Sequence, residues 1–266
     1  MKLDNNRDYR ILTKEEKERY SEIVKRGRGD REIGCVNLFS EYPYAVKMNL
    51  SLFPNNCVIL SELKSKYDLH VINKQFEKLI HDKNTRERDI AYFIKHTPAF
   101  HIIGAILEGT GFRVGHHDTV IFPEFQLGNK YRVDYLIIGK GSGGYEFVFV
   151  ELEAPNKEVA LKKGYKAKSI RSGENQLNDW KRWLECNYVE LKDFFEKEKK
   201  FQKELPKEFR EYDSSRMHFV VVSGLRKDYN ETAYRNMRED TNGGIVSLHY
   251  DHLFDFAEKV LSLETF

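Results

Sequence analysis

Two runs of β-branched and aromatic residues, 131–138 (YRVDYLII) and 145–153 (YEFVFVELE), flank Gly139-Lys140-Gly141-Ser142-Gly143-Gly144. Strand-forming segments separated by six such residues fold most economically as an antiparallel hairpin. A phosphate-cradling loop would need a helix directly after it and a GK[ST] ending, and both are missing. Because strand side chains alternate faces, Phe147, Phe149, Glu151 and Glu153 point one way, and Val148, Val150 and Leu152 the other. Two carboxylates thus end one face of an otherwise apolar strand. On the preceding strand Arg132, Asp134, Leu136 and Ile138 are expected to share a face. Folding about the glycines sets Asp134 opposite Glu151 and Arg132 near Glu153.

Three acidic groups beside apolar strand residues repel one another, and their ionised forms are costly to desolvate. A divalent cation resolves both problems. Carboxylate oxygens with open water positions suit Mg²⁺ or Mn²⁺, which would polarise a phosphate and acidify a water for phosphodiester hydrolysis. The residues alone leave a plainer alternative open, in which Glu151 and Glu153 form ordinary surface pairs with Arg132 and Lys157.

The chain has 266 residues, 40% hydrophobic, 13% aromatic and 32% charged, enough to bury a core. Its 44 basic and 42 acidic residues leave a formal charge of +2, so any surface for nucleic acid must be local. Cys35, Cys57 and Cys186 are far apart and lack CxxC spacing, which argues against a disulfide framework or zinc ribbon and for a reducing cytoplasm. No apolar run approaches the roughly 20 residues of a bilayer span, and the first ten residues lack a signal peptide's apolar core.

Elsewhere the pattern predicts helices over 14–25, 61–79, 87–96 with Thr85 as N-cap, 174–187, 231–239 and 252–261, and strands over 217–223 and 245–248. Residues 46–60 alternate around Pro54-Asn55-Asn56, suggesting a small α+β preface. Residues 189–210 alternate Lys and Glu around Phe194, Phe195, Phe201 and Phe209, the mark of solvated helices with an aromatic inner face. Trp180 and Trp183 are expected in the core, and His81, His96, His101, His116 and His117 as surface or capping groups, without the i, i+4 spacing of a zinc site. Lys162, Lys163, Lys166, Lys168 and Arg171, with Tyr165 among them, form either a solvated loop or a phosphate-contacting one.

In order along the chain, ERDIAYFIKHTPAF, FPEFQLGNKYRVDYLI, FVFVELEAPN, ENQLNDWKRWLECN, HFVVVSG and SLHYDHLFDFA resemble the Shedu anti-phage defence family over roughly residues 87–260. That resemblance implies a PD-(D/E)xK nuclease fold, an α/β (α+β) core with a mixed central sheet flanked by helices. A nuclease domain over 81–266 would follow a small α+β accessory or regulatory region over 1–80, which resembles nothing nameable. By position, Asp134, Glu151 and Glu153 would ligate Mg²⁺ or Mn²⁺, Glu87 would be an outer acid, and Gln176 would steady the site. The superfamily usually carries Lys where this chain has Glu153, so Glu153 would be ligand or general base, with Lys168 or Arg132 supplying the cation. DNA is the implied partner, contacted by Arg132, Lys168 and Arg171; no organic cofactor and no membrane are expected. Exposed aromatics over 189–210 make a homo-oligomer plausible. A DNA-binding or end-sensing module of weak catalysis is the alternative.

Overall fold

Alternation of apolar side chains does produce the hairpin, and in the expected register. The computed structural model describes residues 3, 7–29, 47, 49–112, 114–157, 159, 166–263 and 265–266. Lys162, Lys163 and Tyr165 lie outside these described residues. Strands β2 (Tyr131–Gly141) and β3 (Gly144–Leu152) pair antiparallel, Ile137 against Val148. Both strands run into the glycine stretch, so Ser142-Gly143 alone makes the turn, closed by Gly144 at φ +108. That conformation carries a steric cost for any residue with a Cβ.

Strand β1 (Asp118–Leu127) lies antiparallel to β2, while β4 (Met217–Val222) and β5 (Val246–Leu248) extend the sheet parallel to β3, in the order β1-β2-β3-β4-β5. The sheet is therefore mixed and open, with helices on both faces. Val148, Val150 and Leu152 pack into a core with α2 (Leu60–Lys66), α3 (Leu69–His81), α4 (Glu87–His96), α5 (Phe100–Thr110) and α9 (Tyr250–Lys259). Phe147 and Phe149 pack on the other face with Leu177 and Trp180 of α6 (Lys168–Asn187) and Phe195 of α7 (Leu191–Glu198). Helix α8 (Glu231–Asn242) connects β4 to β5, and α1 (Lys14–Gly29) lies near the N-terminus.

Several expectations need correction. Residues 61–79 are not one helix: the chain breaks between α2 and α3, where the Asp68 carboxylate accepts from Val71 N at 3.2 Å and caps the second. Thr85 does not cap α4. Its hydroxyl donates to Leu79 O, and the Asp89 carboxylate accepts from Arg86 N at 2.9 Å instead. Helix α5 is buried at eight successive positions, from Phe100 to Leu107; lacking a polar face, it carries no periodicity to betray it. His101 in this helix is a core residue, its Nε2 2.7 Å from Asn73 Oδ1, and burial pushes its pKa down to about 4.

Residues 189–210 turn their aromatics inward. Phe195 and Phe209 are fully buried, whereas Phe201 is exposed beneath the Arg10 guanidinium. The expected boundary near residue 80 does not coincide with a gap in packing: Phe53 meets Phe122 and Phe209 at 5.4 and 5.3 Å, and Phe76 lies against Tyr250. Among the described residues no single helix is long and apolar enough to cross a membrane.

Candidate functional site

The β2–β3 ladder ends at Tyr135–Val150, one step before Asp134 and Glu151. Beyond it the Asp134 carboxylate accepts from Leu152 N at 2.7 Å, taking a backbone donor from the widening gap. On the other side of β2 the pairing with β1 also skips one pair, Glu124 with Asp134, and Glu124 has φ +49, a left-handed conformation that a residue with a Cβ adopts at a cost. Side-chain alternation resets there. Val133 joins Leu136 and Ile138 in the core facing α6, so the expected shared face does not continue to Arg132, whose guanidinium is solvent-exposed 3.3 Å from Glu124.

A cavity of about 490 Å³ opens where the strands part. Its walls include Glu87 from α4, Arg132 and Asp134 from β2, Glu151 from β3, and Ser172, Asn175 and Gln176 from α6. The structure thus brings together Glu87, Asp134, Glu151, Gln176 and Arg132 from four elements. Lys168 and Arg171, exposed on the first turn of α6, are outside this lining. Lys166 is held by Glu174 at 2.7 Å and by Asp240, which engages its ammonium within the protein.

Glu153 is buried just beyond β3. Its backbone N donates to Val222 O, and its carbonyl accepts from the buried Tyr250 hydroxyl at 2.7 Å. Lys157 Nζ sits 2.9 Å from Glu153 Oε2. Sequence reasoning treated Lys157 only as a surface pair; its signal was the turn Ala154-Pro155-Asn156, which folds the lysine back four residues onto the carboxylate. Asn156 fixes that turn, donating to Asp82 O and Thr85 O, just ahead of α4. Gly173 is a second residue the sequence did not mark: a Cβ there would meet Val221 Cγ2 at 2.7 Å, so the absence of a side chain lets α6 approach the sheet beside Glu153.

The carboxylates are electrostatically frustrated. Burial, then the charges of Asp134, Glu87 and Glu153, push Glu151 up to about 9. Burial also raises Asp134, to about 7, against the bond from Leu152 N, with Glu87 and Glu153 adding to the rise. Glu87 is raised by partial burial in the cleft wall and by Glu153. Glu151 Oε2 is buried and has no hydrogen-bond partner among the described residues, an arrangement that costs free energy unless something else occupies it. Its donor chemistry, hard oxygens in a carboxylate cluster open to solvent on one side, fits a hard divalent cation. Among the described residues no three His, Cys, Asp or Glu side chains are already gathered at metal-binding spacing, so the carboxylates would have to draw in around such an ion.

A family profile described as "Shedu protein SduA, C-terminal" matches residues 84–254. No curated protein matches the chain. Among solved structures, protein VC1899 from Vibrio cholerae is 11% identical, with a TM-score of 0.24. The match covers 96% of this chain and 57% of that one, so the chain spans little more than half its length.

Proposed function

The chain belongs to the Shedu family through its SduA C-terminal region, and from that defence-related membership we propose that it is a divalent-metal-dependent DNA endonuclease acting against phage. The observation that carries this reading is the buried Glu151 Oε2, without a partner among the described residues, beside Asp134 at the splayed strand ends. Asp134 and Glu151 would hold Mg²⁺ or Mn²⁺, with Glu153 as the third carboxylate. When bound, the cation would polarise the scissile phosphate and acidify a water.

The chain's own groups would do the rest. Glu153, held by Lys157 and by the Tyr250 hydroxyl on its carbonyl, would serve either as that third ligand or as the base that takes a proton from the attacking water. Lys157 supplies the positive charge that the superfamily usually draws from the position of Glu153. Gln176 offers an amide from the opposite wall, and Arg132 at the rim would meet a phosphate. Glu87 adds a fourth carboxylate at the entrance.

The test is cleavage of supercoiled, linear and single-stranded DNA by wild type and Glu151→Ala, with Mg²⁺, Mn²⁺ or EDTA. Wild-type cleavage is expected to vanish with EDTA and with the substitution. Equal cleavage by Glu151→Ala would remove the proposal, and retained DNA binding without cleavage would move the assignment to a DNA-sensing module. Lys157→Met should lose most of the activity and Lys157→Arg should recover part of it, because the charge rather than the lysine stem is what Glu153 needs; equal rates for Lys157→Met and wild type would exclude that role.

A further inference from the structure

The acidic cleft does not end at Glu87. A second cavity, of about 320 Å³, shares Glu87, Arg132 and Asp134 with it and continues along the outer side of α4, past Arg88, Tyr92, Lys95 and His96. Helix α4 is anchored by Ile90 and Ile94, both fully buried, so the Arg88-Tyr92-Lys95 stripe faces the opposite way at helical spacing. Tyr92 is 65% exposed although it sits on a helix whose apolar needs are already met. Its ring stacks on His96 with centroids 4.0 Å apart and planes 21° from parallel, and His96 Nδ1 lies 2.9 Å from Tyr92 O. One face of the tyrosine is therefore covered by imidazole, and the ring is among the side chains that line the groove.

We infer that this groove is a nucleotide subsite, in which Tyr92 stacks on an unpaired base of a DNA strand whose phosphates lie against Arg88, Lys95 and Arg132. The inference rests on the nuclease proposal for the identity of the polymer and adds the form of substrate. A base within a duplex is already stacked on both faces, so an aromatic platform between basic side chains gains only from a base that is single-stranded, frayed or extruded. Arg88 and Lys95 flank the tyrosine on its own helix, Arg132 is shared between Glu124 and the groove, and Glu87 and Asp134 continue into the cleft where a cation would meet the phosphate. The histidine behind the ring reduces the ordering cost of stacking, since the platform is set before the base arrives.

The full chain would be mixed, in EDTA so that no strand is cut, with a short duplex bearing a single-stranded overhang or with its blunt counterpart. The overhang carries the fluorescent base 2-aminopurine, whose emission falls on stacking. Wild type is expected to bind the overhang duplex more tightly than the blunt one and to quench the probe. Tyr92→Ala should weaken overhang binding by roughly five- to a hundredfold, the span of one stacked base, and abolish quenching; Tyr92→Phe should keep both. Because Tyr92 is exposed, neither variant disturbs the core. Equal binding and quenching by Tyr92→Ala, equal wild-type affinity for the two duplexes, or no binding of either would overturn the subsite. Tyr92-dependent quenching in a protein that never cleaves would uphold the subsite while removing the hydrolytic proposal. Cleavage that survives beside a silent Tyr92→Ala would do the reverse.

Discussion

Glu151 carries the site's conflict between stability and function in one side chain. Its folded pKa lies above the value of the unfolded chain, as does that of Asp134, so the fold favours their protonated forms. Their contribution to stability is then full below the ordinary carboxylate range and is lost as pH rises through about 7 for Asp134 and about 9 for Glu151. In EDTA the thermal midpoint should fall steadily across that window, and Glu151→Gln should flatten the fall. A wild-type midpoint independent of pH would contradict the assigned frustration. Mn²⁺ should raise the midpoint more at higher pH, where the carboxylates are ionised, and the same titration would show it. Trp180 tests the other side of the sheet. It is fully buried, yet its Nε1 has no hydrogen-bond partner among the described residues. Trp180→Ala is expected to cost about 3–5 kcal/mol in a urea titration, and Trp180→Phe much less, because volume rather than a polar contact is what the core loses.

Between elements, the site depends on how closely α6 approaches the sheet. Gly173→Val would place methyl groups where Val221 Cγ2 already leaves 2.7 Å, and overpacking of this kind costs about 1–3 kcal/mol. The variant should remain folded by circular dichroism while cleavage falls more than stability does, since Gln176 moves with the helix; full activity would show that the wall is not positioned by this contact. Hairpin register was legible because Phe147, Phe149, Leu136 and Ile138 must all reach one core and a slip of one residue would expose them. The reset of alternation at Glu124 and Asp134 was not. It comes from a left-handed backbone conformation at a glutamate, which no periodicity in the sequence announces. Helix α5 was hidden for the opposite reason, being apolar on every side.

Across the whole molecule, residues 49–81 are bound into the cores on both faces of the sheet, through Phe53 on one side and Phe76 on the other. Removal of residues 1–80 should therefore leave a chain that aggregates on size exclusion, because each lost phenylalanine resembles a large-to-small core substitution worth about 3–5 kcal/mol. A regulatory role for the N-terminal region is better tested by a deletion that ends before residue 49. A folded, monodisperse 81–266 fragment would show that the preface is dispensable for the core. The sequence by itself determined the hairpin, a register that brings Asp134 and Glu151 to the same end of it, and the membership of Trp180 in the core, because these follow from alternation and helical spacing within short segments. Only the tertiary structure decided that α4 and α6 close around those acids, that Lys157 turns back onto Glu153, that Lys166 is engaged elsewhere and that Tyr92 looks into the same groove. Each of those contacts joins side chains brought together by loop geometry and inter-element packing, which local patterns of polarity do not encode.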